Sequence, residues 1–150
     1  MSAETDMIKL YSSRILALAA EIPRTARLDA PSATAKRRSP LCGSTVTVDI
    51  IVEDGRIVDF GQDVKACALG QAAASVVAQN IIGCTLAYVE KARDELKTML
   101  KSNGPAPAKP FDGLEVLIPA RDYKNRHASI LLALDAVVEA MTEAKKSACA

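Results

Sequence analysis

Thr45-Val46-Thr47-Val48-Asp49-Ile50-Ile51-Val52-Glu53-Asp54-Gly55-Arg56-Ile57-Val58-Asp59-Phe60-Gly61-Gln62 is the stretch whose reading decides the fold. Val46, Val48, Ile50 and Val52 fall on one face of an extended chain, and the β-branched content suits a pleated, half-buried surface. Asp54-Gly55 supplies the two residues that tolerate positive φ in a tight hairpin turn, so Arg56 to Gln62 is expected to return as a second strand. Asp63 to Ala66 is read as a third, short strand.

On both sides of this hairpin the hydrophobic period changes from two to between three and four. Ile8, Tyr11, Ile15, Leu18 and Ala19 make a helical stripe within Met7 to Ala20. Residues 23 to 41, with three prolines and the basic triplet Lys36-Arg37-Arg38, read as an irregular connection. After the sheet, Leu69 to Ile82 is a helix dense in alanine, with Leu69, Ala73, Val76, Val77 and Ile81 facing inward. Gly83 stops it and Thr85 caps the next helix, Leu86 to Lys101. Residues 102 to 113 read as an extended surface loop, and a last helix runs from about Asn125 to Lys146. The order of elements is that of an α+β protein.

The whole chain, 1–150, is read as one domain, with 49% hydrophobic residues to build its core. A chain of this length buries about 70% of the surface it exposes when unfolded, so no staples are needed. A formal charge of +1 and five aromatic residues without tryptophan argue against nucleic acid as a partner. No apolar run approaches the roughly 18 residues of a membrane span. The acidic start, Met1-Ser-Ala-Glu-Thr-Asp6, does not read as a secretory signal, so the expected location is cytoplasmic and reducing. There, four cysteines are expected to be ligands, reactive thiols or core residues rather than disulfides.

Two of the four stand at element junctions. Cys42 lies in Leu41-Cys42-Gly43, where the irregular connection meets the first strand, and Gly43 leaves room for a ligand to approach. Cys67 immediately precedes a helix, where oriented N–H groups favour negative charge on sulfur. The single histidine, His127, stands at the start of the last helix just after the basic residues Lys124 and Arg126, which suit an anionic ligand. Cys42, Cys67 and His127 are therefore the candidate metal ligands, although a buried cysteine is also an ordinary small core residue and a single histidine an ordinary polar one. Cys84 is assigned to packing and Cys149 to the chain end. Lys36-Arg37-Arg38 is either a solvated charge run or a place for an acidic partner. One histidine, no Gly-x-Ser-x-Gly and no phosphate-cradling glycine motif leave no hydrolase or nucleotide site in view, and the chain is read as not an enzyme.

The order Ile22-Pro23-Arg24, Leu41-Cys42-Gly43, Asp54-Gly55, Cys67-Ala-Leu-Gly-Gln-Ala-Ala-Ala-Ser75, Gly83-Cys84-Thr85 and His127-Ala128-Ser129-Ile130-Leu131 resembles the IscU/NifU-type iron-sulfur cluster assembly scaffolds over about residues 7 to 146. The resemblance implies a three-stranded antiparallel sheet with helices packed on it, and a site at one end that gathers three cysteines, a histidine and an aspartate. It implies a labile iron-sulfur cluster, or zinc in its place, held at Cys42, Cys67 and His127. It also implies a cysteine desulfurase as sulfur donor and iron-sulfur acceptor proteins as recipients, with a homodimer as a possible assembly. His127 matches either the family's histidine or, with the alignment shifted by one, its third cysteine. Ser44 stands where the family usually has aspartate, and Ala128 where a cysteine would follow the histidine. A fourth ligand is open among water, Ser44, an aspartate such as Asp63, and a second protein. With this reduced set, an interaction module that binds the sulfur-donor machinery without building clusters, or a persulfide relay through Cys67, remains an alternative function.

Overall fold

The hairpin read from the sequence is the middle and one edge of a three-stranded antiparallel sheet in the order β1-β2-β3. A computed structural model describes residues 12–40 and 43–149. In it β1 spans Ala33–Arg38, β2 Thr45–Glu53 and β3 Arg56–Lys65. Asp54 and Gly55 both have positive φ, 53° and 76°, as the turn between β2 and β3 requires.

Two sequence expectations are corrected here. Residues 33–38 are a strand inside what reads as an irregular connection: Ala33 and Ala35 offer little apolar surface, and the pairing comes from β2, with Ala35 opposite Val48 and Arg38 opposite Thr45. Residues 63–65 are not a separate third strand. They continue β3, Asp63 opposite Thr47 and Lys65 opposite Thr45, after a register shift between Ile51 and Val52.

The inner sheet face is set by alternation. Val46, Val48 and Ile50 of β2, Ile57 and Phe60 of β3 and Ala35 of β1 are buried against helices. Helix α1 is Ser13–Ala20, with Ser12 Oγ accepting from the Ile15 amide; the part of the expected helix before Ser12 lies outside the described residues. Helix α2, Ala68–Asn80, is buried almost all round, because its alanines and Gly70 let α1 and the last helix approach closely. Helix α3 spans Leu86–Lys101, as read, and Thr85 Oγ1 accepts from the Tyr88 amide at its start. The connection that follows turns inward at Phe111, fully buried, and then forms a 3-10 segment, Asp112–Asp122, instead of continuing as open loop. A last turn, Lys124–Arg126, leads into α4, His127–Cys149, which packs on α2, α3, β1 and β2.

Both faces of the sheet are engaged. On the outer face the segment before β1 crosses as a strap: the Gln62 amide donates to Arg24 O, and Ala26 O lies where a Cβ on Gly61 would have to be. Asp49, fully buried on this face, accepts from Arg27 Nε at 2.5 Å, Arg27 Nη2 at 3.1 Å, the Leu28 amide at 3.1 Å and Thr34 Oγ1 at 2.5 Å. One carboxylate thus gathers the strap and β1 onto this face, beside the backbone bond from Gln62 to Arg24. No helix of the described residues is long and apolar enough to cross a membrane.

Candidate functional site

Three chain segments converge at one end of the sheet: the β1–β2 hairpin, the step from β3 into α2, and the start of α4. Cys67 is the N-cap of α2, with extended backbone (φ −67°, ψ 170°); its carbonyl accepts from the Gln71 amide and its side chain makes no capping bond. Its thiol is therefore left for other work. The half-buried Cys67 Sγ lies 3.6 Å from Ser129 Oγ, in the first turn of α4, and Ser129 Oγ donates to Ser44 Oγ at 3.2 Å. Ser129 and Ser44 are both buried, at 1% and 5% exposure, so this chain of hydroxyls is shielded from bulk water.

Gly70 permits the approach. A Cβ there would stand 2.6 Å from Ser129 Oγ and 2.9 Å from the Ala66 Cβ, so the first turn of α2 can meet α4 at this distance only without a side chain. The hairpin end is shaped by Gly43, at φ 71°, whose amide donates to Ser39 O, and by the Ser39 amide, which donates to Ser44 O. Cys42, the first candidate ligand, lies outside the described residues; its neighbours Gly43 and Ser44 put this hairpin end beside Ser129 and Cys67.

His127 has a different environment. It is 2% exposed, and its Nε2 lies 3.0 Å from both Ala120 O and Arg121 O. Two carbonyl oxygens at that distance demand an N–H, so Nε2 donates, and in the neutral ring Nδ1 is then the atom with a lone pair for a metal. The carbonyls belong to the 3-10 segment, which Arg121 ties to the end of α3 by donating from Nε to Met99 O at 2.7 Å and from Nη2 to Gly104 O. Among the described residues no group of three or more His, Cys, Asp or Glu side chains is placed to hold a metal. Asp63 lies on the exposed outer sheet face, 3.9 Å from Lys65 Nζ.

Of the remaining cysteines, Cys84 is buried, donates to Asn80 O, and burial pushes its thiol up from the ordinary value, as befits a packing residue. Sequence reasoning did not single out Ser129 or Gly70 as site residues. Gly70 stands three residues beyond Cys67 and Ser129 two beyond His127, but only the approach of α2 to α4 shows what they do.

The match to the family described as NifU-like N-terminal domain covers residues 10–143. Among solved structures, the chain is similar to a nitrogen-fixing NifU-like protein (N-terminal part) from Brucella abortus, with 46% identity, 94% of this chain and 98% of that chain covered and a TM-score of 0.91. It is also similar in fold to a candidate iron-sulfur cluster assembly scaffold protein for the SUF system from Fervidobacterium islandicum, at 19% identity, 89% and 98% coverage and a TM-score of 0.79. No curated protein sequence matches.

Proposed function

Because the chain belongs to the family of NifU-like N-terminal domains, we propose that it is an iron-sulfur cluster assembly scaffold, which holds a nascent cluster as cargo and hands it on, rather than an enzyme. The observation that carries this reading is the position of Cys67. Its sulfur stands at the N-terminus of a 13-residue helix, its capping role left unused, and it is linked through Ser129 to the hairpin that carries Cys42. Oriented amides at a helix N-terminus favour an anionic cargo beside them.

In this reading Cys67 and Cys42 supply the thiolates. His127 supplies Nδ1, its ring orientation fixed by the two carbonyls behind Nε2. Zinc suits the same donors, with a water or a partner side chain as a fourth ligand. Ala128 brings a methyl group where the resemblance expects a thiolate, so the cargo is held by fewer sulfurs and is more labile. A cysteine desulfurase is the proposed sulfur donor and iron-sulfur acceptor proteins the recipients.

The test is anaerobic reconstitution with iron and sulfide, read by visible absorption and by the metal retained after gel filtration. The scaffold reading expects both signals in the wild type and loss of both in Cys67→Ser. A colourless, metal-free wild type would overturn it. One observation favours a second reading, a partner-binding module that builds no cluster: His127 is as buried as a core residue and spends Nε2 on the backbone. That module would bind the desulfurase equally well after Cys67→Ser and retain no metal at any stage.

A further inference from the structure

Strand alternation divides the basic triplet Lys36-Arg37-Arg38. Arg37, opposite Val46, turns to the helix-covered face, where it lies 3.7 Å from Glu139 of α4. Lys36, opposite Thr47, and Arg38, opposite Thr45, stand on the outer face; both are exposed, and neither has an ion pair among the described residues. The same two threonines face Asp63 and Lys65 on β3. Two rows of the outer face therefore read Lys36-Thr47-Asp63 and Arg38-Thr45-Lys65, with the β1 and β3 columns roughly 10 Å apart across two strand spacings. The strap that covers Asp49 and Gly61 closes the next row and leaves these two exposed.

We propose that this corner of the outer sheet face is a docking surface for an acidic protein segment. Lys36, Arg38 and Lys65 border a floor of threonine hydroxyls; Asp63 pairs with Lys65 at 3.9 Å, so the patch keeps a surplus of two positive charges at Lys36 and Arg38, and a partner presenting clustered Asp and Glu side chains is complementary in charge. Position supports the same partner. Lys65 is two residues before Cys67, and the Arg38 guanidinium reaches to 3.9 Å from the place of a Cβ on Gly43. An acidic segment seated here lies against the hairpin and the β3–α2 step that flank the thiol. Nucleic acid fits less well, because three cations offer few phosphate contacts and, among the described residues, neither row of the patch carries an aromatic side chain. Why a partner should approach this end rests on the scaffold reading, whereas the surface itself does not.

The experiment uses metal-free protein, so its failure is separate from failure of cluster reconstitution. A fluorescein-labelled peptide of six glutamates is titrated by anisotropy at low and rising salt, with 15N amide shifts mapping the contact. Binding should weaken with salt and shift the amides of Lys36, Thr45, Thr47 and Lys65. Lys36→Glu/Arg38→Glu should weaken it by about tenfold or more, and the same charge change on α3, Lys91→Glu/Lys101→Glu, by less than about twofold. If the first variant melts early, Lys36→Gln/Arg38→Gln should reproduce the loss at wild-type melting temperature. Equal loss in both double variants, shifts confined to other surfaces, no binding at low salt, or tighter binding of a single-stranded oligonucleotide with the same number of charges would overturn the proposal.

Discussion

At Gly70 a single added methyl group would meet Ser129 Oγ at 2.6 Å and the Ala66 Cβ at 2.9 Å. Ser129 Oγ can leave only by a χ1 rotation that gives up its contacts with Cys67 and Ser44, and the Ala66 Cβ is fixed to the backbone, so Gly70→Ala must shift the first turn of α2, at a cost of about 1–3 kcal/mol despite the better helix propensity of alanine. A lower melting temperature and a longer Cys67–Ser129 separation in a crystal structure are the expected outcomes; unchanged melting would show that the two first turns are not in tight contact. Asp49 makes a comparable demand on the other side of the sheet. Burial raises its carboxyl, but donors from Arg27, Thr34 and the Leu28 amide outweigh that and hold it below its ordinary value of 3.8. A depressed carboxyl contributes stability above its unfolded value and loses it as pH falls through the lower folded value. Asp49→Asn should therefore lose about 2–4 kcal/mol of stability and melt at a lower temperature at pH 7, because it loses the charge that four hydrogen bonds converge on, and the gap to wild type should narrow below about pH 4. Thermal melts of the two proteins from pH 7 to pH 3 would read this directly.

The elements differ in how plainly the sequence announces them. β2 and its turn are legible because β-branched alternation and Asp54-Gly55 agree with the tertiary structure. β1 is not, because Ala33-Thr-Ala-Lys-Arg-Arg38 carries only two small apolar residues and acquires its conformation from β2. The 3-10 segment is hidden for a similar reason: Gly113 and Pro119 read as breakers, yet Leu114, Val116 and Leu117 are buried against α2 and α3. Legibility of the site follows the same rule. Junction placement marks Cys67 without help from tertiary structure, whereas the partners of Ser129 and the carbonyls behind His127 come from segments distant in sequence. Helix α4 also carries a group that the apolar stripe conceals. Burial pushes the Asp135 carboxyl up, against the opposing pull of Arg37 on β1 and of Arg93 and Lys97 on α3. A raised carboxyl is a penalty in the folded state above its folded value, relieved as pH falls toward the unfolded one. Asp135→Asn should raise the melting temperature at pH 7, with the gain vanishing below about pH 4; a lower melting temperature at pH 7 would mean that the three cations win.

Across the whole molecule the two ends of the sheet are built differently. One end gathers the β1–β2 hairpin, Cys67 and the start of α4. The other gathers the Asp54-Gly55 turn, the Thr85 cap of α3 and the late turns of α4, around a groove of about 750 Å³ bordered by Val52, Leu86 and Met141. Substitutions at the two ends should separate cargo from stability. Thr85→Ala removes the hydroxyl that accepts from the Tyr88 amide and should cost about 1 kcal/mol of stability, leaving the metal retained per reconstituted chain as in wild type. Ala128→Cys adds a thiol in the first turn of α4, between His127 and the Ser129 that touches Cys67, on a half-buried position. It should leave the melting temperature of the metal-free protein near wild type and slow cluster loss to a chelator by about tenfold or more, the scale on which one further metal contact acts. Both measurements on both variants make a cross: if Thr85→Ala released the cluster, or Ala128→Cys left its lifetime unchanged, the division of labour between the two ends would be wrong, and the cargo would have to be held elsewhere than at Cys67.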